Sequence, residues 1–140
     1  MTNRRYEDWP SRLSVYLREC QKKTFKWGAF DCATFSLGAI KAMTGLEVVG
    51  KDMTWTSAAE AGRIMKGDLQ ETARRIAKEV GFSSVAVLKA QRGDAVLVQF
   101  PQDALLALGI CVGKTVAVVS AEKGLTFYPM EYAKEAWSIK

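Results

Sequence analysis

The chain has 140 residues, of which 49% are hydrophobic and 25% are charged, and its formal net charge is +5. This length suits one domain with its own core, and this composition excludes the low-hydrophobicity, high-charge class of disordered chains. No apolar run reaches the roughly 20 residues that span a bilayer, and the N-terminus MTNRRYEDWP lacks the apolar core of a secretory signal. We expect one compact domain over residues 1–140, without a membrane span, that stays in the cytoplasm where it is made.

The charges and the cysteines do not define a ligand site. The basic residues stand in small groups among acidic ones, which is typical of a solvated surface, so we expect no nucleic-acid partner. A nucleic-acid-binding module stays open as a weaker hypothesis that rests on net charge alone. The three cysteines lie far apart and form no CxxC pair, which predicts reduced thiols, no metal site and no cofactor; they are Cys20, Cys32 and Cys111.

The N-terminal part of the chain has the spacing of an amphipathic helix. After Pro10, apolar residues recur at i, i+3, i+4 and i+7, which places them on one buried face: Leu13, Tyr16, Leu17 and Cys20. Because Cys20 belongs to this face, we predict that it is a core residue and has no chemical role.

A second helix is predicted from Asp31 to Gly45. The Asp31 carboxylate can accept hydrogen bonds from free N–H groups of the first turn, and Gly45 is a natural stop beyond the last turn. Cys32 then lies in the first turn of this helix. Two further helices are indicated by a capping-box pattern that runs from Ser57 to Gly67 and by the segment from Asp68 to Gly81.

The chain changes character after Gly81. Short β-branched and apolar runs alternate with turn-forming residues, which predicts an antiparallel sheet with strands at 95–100, 105–112, 115–120 and 125–128. Helices followed by a meander make an α+β arrangement, with the helices packed on one face of the sheet. The apolar phase of the segments predicts a core that includes Leu13, Leu17, Phe35, Ile40, Ile76, Val96, Val98 and Ile110.

The stretch around Cys32 combines features of a nucleophile site. A cysteine at a helix start lies beside unpaired N–H groups and the positive end of the helix dipole, which favour the thiolate and lower the pKa of the thiol. A free cysteine is also a common small core residue, and spacing alone leaves both interpretations open. We interpret Asp31 as a helix cap and Gly28 as a tight-turn residue, while Trp27 either packs under the turn or lines a groove.

The segment WGAFDCATF resembles the nucleophile motif of the NlpC/P60 cysteine peptidases, papain-like enzymes that cut peptidoglycan stem peptides. In that family a Gly-Asp pair opens the first strand of the sheet, and a later strand carries the catalytic histidine in a pattern like His-Val-Gly-Ile-Tyr-Leu-Gly. Here Gly93 and Asp94 precede AVLVQF, and ALGICVG begins at Ala107. Over nearly its full length the chain also resembles the phage and prophage family DUF6950. These resemblances imply a papain-like, NlpC/P60-type α+β fold in which Cys32 faces the strand that carries Ala107.

The chain departs from the peptidase pattern at the catalytic base. It contains no histidine: Ala107 stands at the position of the peptidase histidine, Cys111 at that of the usual tyrosine, and Phe30 where DUF6950 chains often have a histidine. A cysteine peptidase needs a group that takes the thiol proton and later gives a proton to the leaving amine, and one imidazole does both. Asp31 and Asp94 are poor substitutes, because a carboxylate beside the sulfur opposes thiolate formation.

The missing histidine leaves two hypotheses. The preferred one is an inactive NlpC/P60 relative that keeps the groove as a binding surface and serves as a phage or prophage structural, assembly or cell-wall-binding component. Its partners are then phage structural proteins or peptidoglycan, and it resides in the bacterial cytoplasm or in the virion. The alternative is an active cysteine hydrolase or acyltransferase on peptidoglycan peptides, with Cys32 as nucleophile and an unconventional or partner-supplied base. In both cases the candidate site residues are Trp27, Gly28, Asp31, Cys32, Gly93, Asp94 and Ala107.

Overall fold

The computed structural model describes residues 5–47, 69–102 and 104–139. Within them the helices come first: α1 (Trp9–Cys20), α2 (Cys32–Thr44) and α3 (Leu69–Val80). The strands follow as β1 (Ser83–Val85), β2 (Ala95–Gln99), β3 (Leu106–Cys111), β4 (Thr115–Ser120), β5 (Gly124–Pro129) and β6 (Ala133–Ser138). The helix predicted from Ser57 to Gly67 lies outside the described residues. None of the described helices is long and apolar enough to cross a membrane.

The strands form one antiparallel sheet in the order β1-β6-β2-β3-β4-β5. Its central meander, β2 to β5, confirms the four strands predicted from the apolar runs. The sequence pattern did not identify β1 and β6. Both are rich in polar residues, and β6 carries Glu135 in its interior, where the carboxylate accepts from the Arg74 side chain of α3 at 2.9 Å. Helices followed by a single antiparallel sheet confirm the α+β class.

The connection between β5 and β6 requires the sheet to curl. Pro129 ends β5 and Ala133 begins β6, so their Cα atoms are at most about 15 Å apart along the chain. In a flat sheet the two strands would be separated by four strand spacings, or about 19 Å. The sheet must therefore bend until the end of β5 approaches the start of β6. A short 3₁₀ turn, Met130–Tyr132, bridges the two strands.

The curled sheet has apolar side chains buried on both faces. The helices cover one face, where Leu97, Leu108 and Ile110 join the main core. The other face holds a second cluster that includes Val96, Val98 and the thiol-bearing Cys32, with the 3₁₀ turn packed against it. All the residues predicted for the core are buried: Leu13, Leu17, Phe35, Ile40, Ile76, Val96, Val98 and Ile110.

The contact between α1 and α2 fixes the position of the helix that carries Cys32. The Tyr16 hydroxyl of α1 donates to the Phe35 carbonyl at 2.7 Å, and the two rings stack with centroids 5.7 Å apart. Gly38 permits this approach, since a Cβ there would lie 2.2 Å from the Tyr16 hydroxyl. Cys20 is buried in α1, as its place on the apolar face predicts. The start of α2 is thus held against the rest of the core.

Candidate functional site

Local hydrogen bonds fix the turn that precedes α2. The Asp31 carboxylate accepts from the Thr34 N–H at 2.9 Å and from the Gly28 N–H at 2.8 Å, while the Thr34 hydroxyl accepts from the Asp31 N–H at 2.8 Å. Gly28 has φ +79°, in the left-handed region that favours glycine. These contacts confirm Asp31 as the cap of α2 and Gly28 as a tight-turn residue. The Asp31 side chain is buried and oriented by the turn.

The Cys32 thiol lies in the first turn of α2, and only 3% of the residue is exposed. Burial raises the pKa of this thiol to about 12, and the charge of Asp31 acts in the same direction. Backbone hydrogen bonds from Leu108 and Ala33 favour the thiolate, but burial outweighs them in setting the pKa. Of the two interpretations that the sequence leaves open for Cys32, the raised pKa favours the small core residue, because desolvation outweighs the effect of the helix start. The sulfur is a neutral thiol near pH 7.

Cys32 and Ala107 line one groove of about 550 Å³. They also share the second apolar cluster, which confirms that Cys32 faces the strand carrying Ala107. The groove opens where β3 and β4 separate. The two strands pair at Ile110 with Ala117. Toward the start of β3 and the end of β4, Ala107 and Ser120 line the groove.

Aromatic side chains form the walls of the groove. Phe25 and Trp27, from the loop before α2, meet edge to face with centroids 4.5 Å apart. Opposite segments contribute Phe100, Tyr128 and Tyr132, with centroids 5.0 Å apart for the first pair and 5.9 Å for the second. All five are half-buried, so each presents part of its ring to the groove. Trp27 lines the groove and also packs against the main core, so it combines the two alternatives left open by the sequence.

Few groups near the thiol can exchange protons. Besides Cys32, the titratable side chains that line the groove among the described residues are Glu122, Lys123, Tyr128 and Tyr132. In the same part of the chain no group of three histidine, cysteine or acidic residues is arranged to hold a metal ion. The groove therefore offers a thiol, a carboxylate, an amine and two phenols between aromatic walls.

Comparison with known proteins assigns the chain to a family. Residues 4–139 match the family model described as Domain of unknown function (DUF6950). The chain belongs to the DUF6950 family. Among solved structures, the DUF6950 chain is similar to the NlpC/p60 domain of the peptidoglycan hydrolase SagA, with a TM-score of 0.60 and 15% identity over 91% of this chain and 97% of that one. This likeness confirms the predicted NlpC/P60-type fold. The sequence matches no curated protein.

Gly93 and Asp94 of the DUF6950 chain contact the N-terminal segment and do not belong to the groove. Asp94 is buried, and its carboxylate forms an ion pair with Arg5 at 2.8 Å and accepts from the Gln91 N–H at 2.8 Å. Gly93 has φ +93°, and a Cβ there would lie 2.8 Å from the Trp9 ring. Neither residue lines the groove. This Gly-Asp pair ties the N-terminal segment to the start of β2.

The sequence motifs located the thiol of this DUF6950 chain but only one residue of the aromatic walls. Phe100 follows β2, Tyr128 lies near the end of β5 and Tyr132 lies in the 3₁₀ turn, and the curl of the sheet brings them to the groove that Trp27 lines. A weak signal was present for two of them, because Phe100 and Tyr128 each directly precede a proline, in FP and YP. An exposed aromatic next to a turn is a candidate for a binding surface.

Proposed function

We propose that this DUF6950 chain is an inactive relative of the NlpC/P60 peptidases that binds peptidoglycan peptides in the groove at Cys32 without cleaving them. The shared fold with a domain of a peptidoglycan hydrolase supports the choice of ligand. The size of the groove supports binding as well, since about 550 Å³ falls within the usual range of ligand pockets.

The observation that carries the inactive half of the proposal is the lack of a histidine to act as base for Cys32. The sequence has no histidine, and Ala107 is the residue of β3 that shares the groove with the thiol. Burial raises the pKa of the thiol to about 12, because it outweighs the backbone hydrogen bonds that favour the thiolate. A cysteine hydrolase must charge its sulfur and protonate its leaving group, and general acid–base catalysis contributes about 100- to 10,000-fold.

The experiment incubates purified protein with muropeptides and measures both binding and cleavage. Wild type is expected to bind the muropeptides and to leave them intact. An Ala107→His variant, whose new side chain extends into the groove, is expected to gain measurable cleavage, and circular dichroism checks that it folds. Failure of the wild type to bind any muropeptide would refute the proposal.

A second candidate function is an active cysteine hydrolase or acyltransferase on the same peptides. It is favoured by one observation: the thiol lines a groove that also holds the amine of Lys123 and the phenols of Tyr128 and Tyr132. The Cys32→Ala variant separates the two candidates. Cleavage by wild type that disappears in Cys32→Ala would establish the hydrolase and end the inactive interpretation.

The biological setting in this proposal is a phage or prophage, where the protein acts as a structural, assembly or cell-wall-binding component. The resemblance of the sequence to phage and prophage proteins supports it. Phage structural proteins are then the further partners, and the protein passes from the bacterial cytoplasm into the virion. Mass spectrometry of purified particles tests this part, because a protein that is absent from the particles is not a virion component.

A further inference from the structure

The loop before α2 places lysines beside the aromatic groove. Its sequence, QKKTFKW at residues 21–27, alternates Lys22, Lys23 and Lys26 with Phe25 and Trp27. Both aromatics line the groove, and all three lysines are exposed. The sequence alone assigned these lysines to an ordinary solvated surface. The fold gives them a location, at the edge of a ligand-sized groove.

A second segment brings further charge to the same edge. The turn between β4 and β5 supplies Glu122 and Lys123, which line the groove, and Gly124 follows them. A Cβ on Gly124 would lie 3.3 Å from the Lys23 carbonyl oxygen, so the loop and the turn are in contact. We call residues 21–27 and 121–124 together the lysine rim. It contains four lysines and one glutamate, a net charge of +3.

One lysine of the rim is held in place by an aromatic ring. The Lys23 ammonium lies 5.6 Å from the centroid of Phe30, within the range of a cation–π contact. Phe30 is buried against Phe35 and directly precedes the Asp31 cap, so the ring is fixed by the start of α2. Because this contact already restricts the Lys23 side chain, less conformational entropy is lost when a ligand binds there.

We propose that the groove selects acidic peptides, with their carboxylates at the lysine rim and their apolar parts between the aromatic walls. This inference rests on the proposed function, because it names the chemistry of the peptide that the groove would bind. The lysine rim carries a net charge of +3, which favours an anionic partner. The aromatic rings offer large, rigid contact area to the uncharged part of the same ligand.

A peptide fits these observations better than a single-stranded nucleic acid. A nucleic-acid site has positive charge along a track that follows the phosphates, with a base stacked every few ångströms. Here the only basic side chain among the described residues that line the groove is Lys123, in the lysine rim, and the groove has room for one short ligand segment. The charge pattern matches a ligand with a few carboxylates at one place.

The test compares ligands that differ only in charge. Disaccharide peptides from peptidoglycan are used with free carboxylates, and the same molecules are used after carbodiimide-mediated amidation, which removes the negative charge. Binding is followed by calorimetry for wild type and for the rim variant Lys22→Gln/Lys23→Gln/Lys26→Gln. The matched control, Lys78→Gln/Lys89→Gln/Lys114→Gln, removes the same charge from exposed lysines outside the lysine rim.

Amidation and the rim variant are each expected to weaken binding about tenfold, since three exposed charge contacts are lost, and added salt should reduce the effect. The control variant should bind like wild type. Equal affinity for free and amidated ligands would overturn this inference and leave the proposed function standing, whereas no binding of either ligand would defeat both. Tighter binding of oligothymidylate than of the free peptides, with the same rim dependence, would replace the peptide with single-stranded nucleic acid.

Discussion

Because the Cys32 thiol is buried, we predict that the protein loses stability at alkaline pH. The Cys32→Ala substitution should remove this part of the pH dependence. Burial raises the pKa of this thiol in the folded chain from an ordinary value of 9.0 to about 12. Because the folded pKa lies above the unfolded one, the unfolded chain releases its proton first as the pH rises. The stabilisation is complete below about pH 9 and is lost progressively up to about pH 12.

The size of this effect follows from the shift in pKa. Each unit of difference corresponds to about 1.4 kcal/mol, so the full loss across the window is about 4 kcal/mol. The thiol is almost fully buried, with 3% of the residue exposed, so solvent screening is small. Between about pH 8 and about pH 10 the contribution of Cys32 should fall by roughly 1.4 kcal/mol.

The assay is urea denaturation of wild type and Cys32→Ala at these two pH values. Burial also raises the pKa of Cys20 and Cys111, and lysines and tyrosines titrate in the same region, but these groups are common to both proteins. Their effects cancel when the two pH dependences are subtracted. Equal pH dependence in the two proteins would refute the raised pKa. A wild type that gains stability relative to Cys32→Ala as the pH rises would show a lowered pKa and a reactive thiolate.

Four further substitutions test the packing, the ion pair and the helix cap that position the groove. Leu17→Ala and Ile110→Ala should each lower the free energy of unfolding by about 2 to 5 kcal/mol, because both side chains are buried. Losses below about 1 kcal/mol at both positions would show that the core assignment is wrong. Asp94→Ala should lower the free energy of unfolding by about 3 to 5 kcal/mol, since it leaves the buried Arg5 charge without its carboxylate. A nearly unchanged free energy of unfolding would contradict the structural role of this ion pair. Asp31→Ala should cost about 0.5 to 2 kcal/mol through loss of the helix cap, and an unchanged midpoint would show that the cap contributes nothing.

The parts of the fold that the sequence predicted are those set by local chemistry. Asp31 and Gly45 bound α2 because a carboxylate and a left-handed glycine satisfy the free groups at its two ends, and both are visible as single residues. The apolar runs of β2 to β5 are equally local. β1 and β6 were missed because their place in the sheet depends on partners far along the chain: Ser84 pairs with Trp137.

The candidate site, like the fold, could be predicted only in those features that a local sequence pattern determines. The motif around Cys32 and the strand of Ala107 were correctly placed opposite each other, since each has a recognisable local pattern. The pKa of the thiol was not predictable, because it depends on how completely the fold removes water from the sulfur. The lysine rim was missed for a related reason. Lys23 and Lys123 are a hundred positions apart in the chain, and the contact of their segments exists only in the folded protein.

The structure separates the part of the groove that would react from the parts that would bind. The thiol comes from the first turn of α2, whereas the aromatic walls and the lysine rim come from the preceding loop and from the ends of the strands. None of these wall contacts involves residue 107, so an alanine there removes the chemistry of an imidazole and leaves the walls in place. Burial outweighs the backbone hydrogen bonds that favour a charged sulfur, and Cys32 packs in one apolar cluster with Ala107 as a small residue. Under the proposed function, ligand binding and catalysis would rest on different side chains, so loss of the catalytic group would leave the binding surface in place.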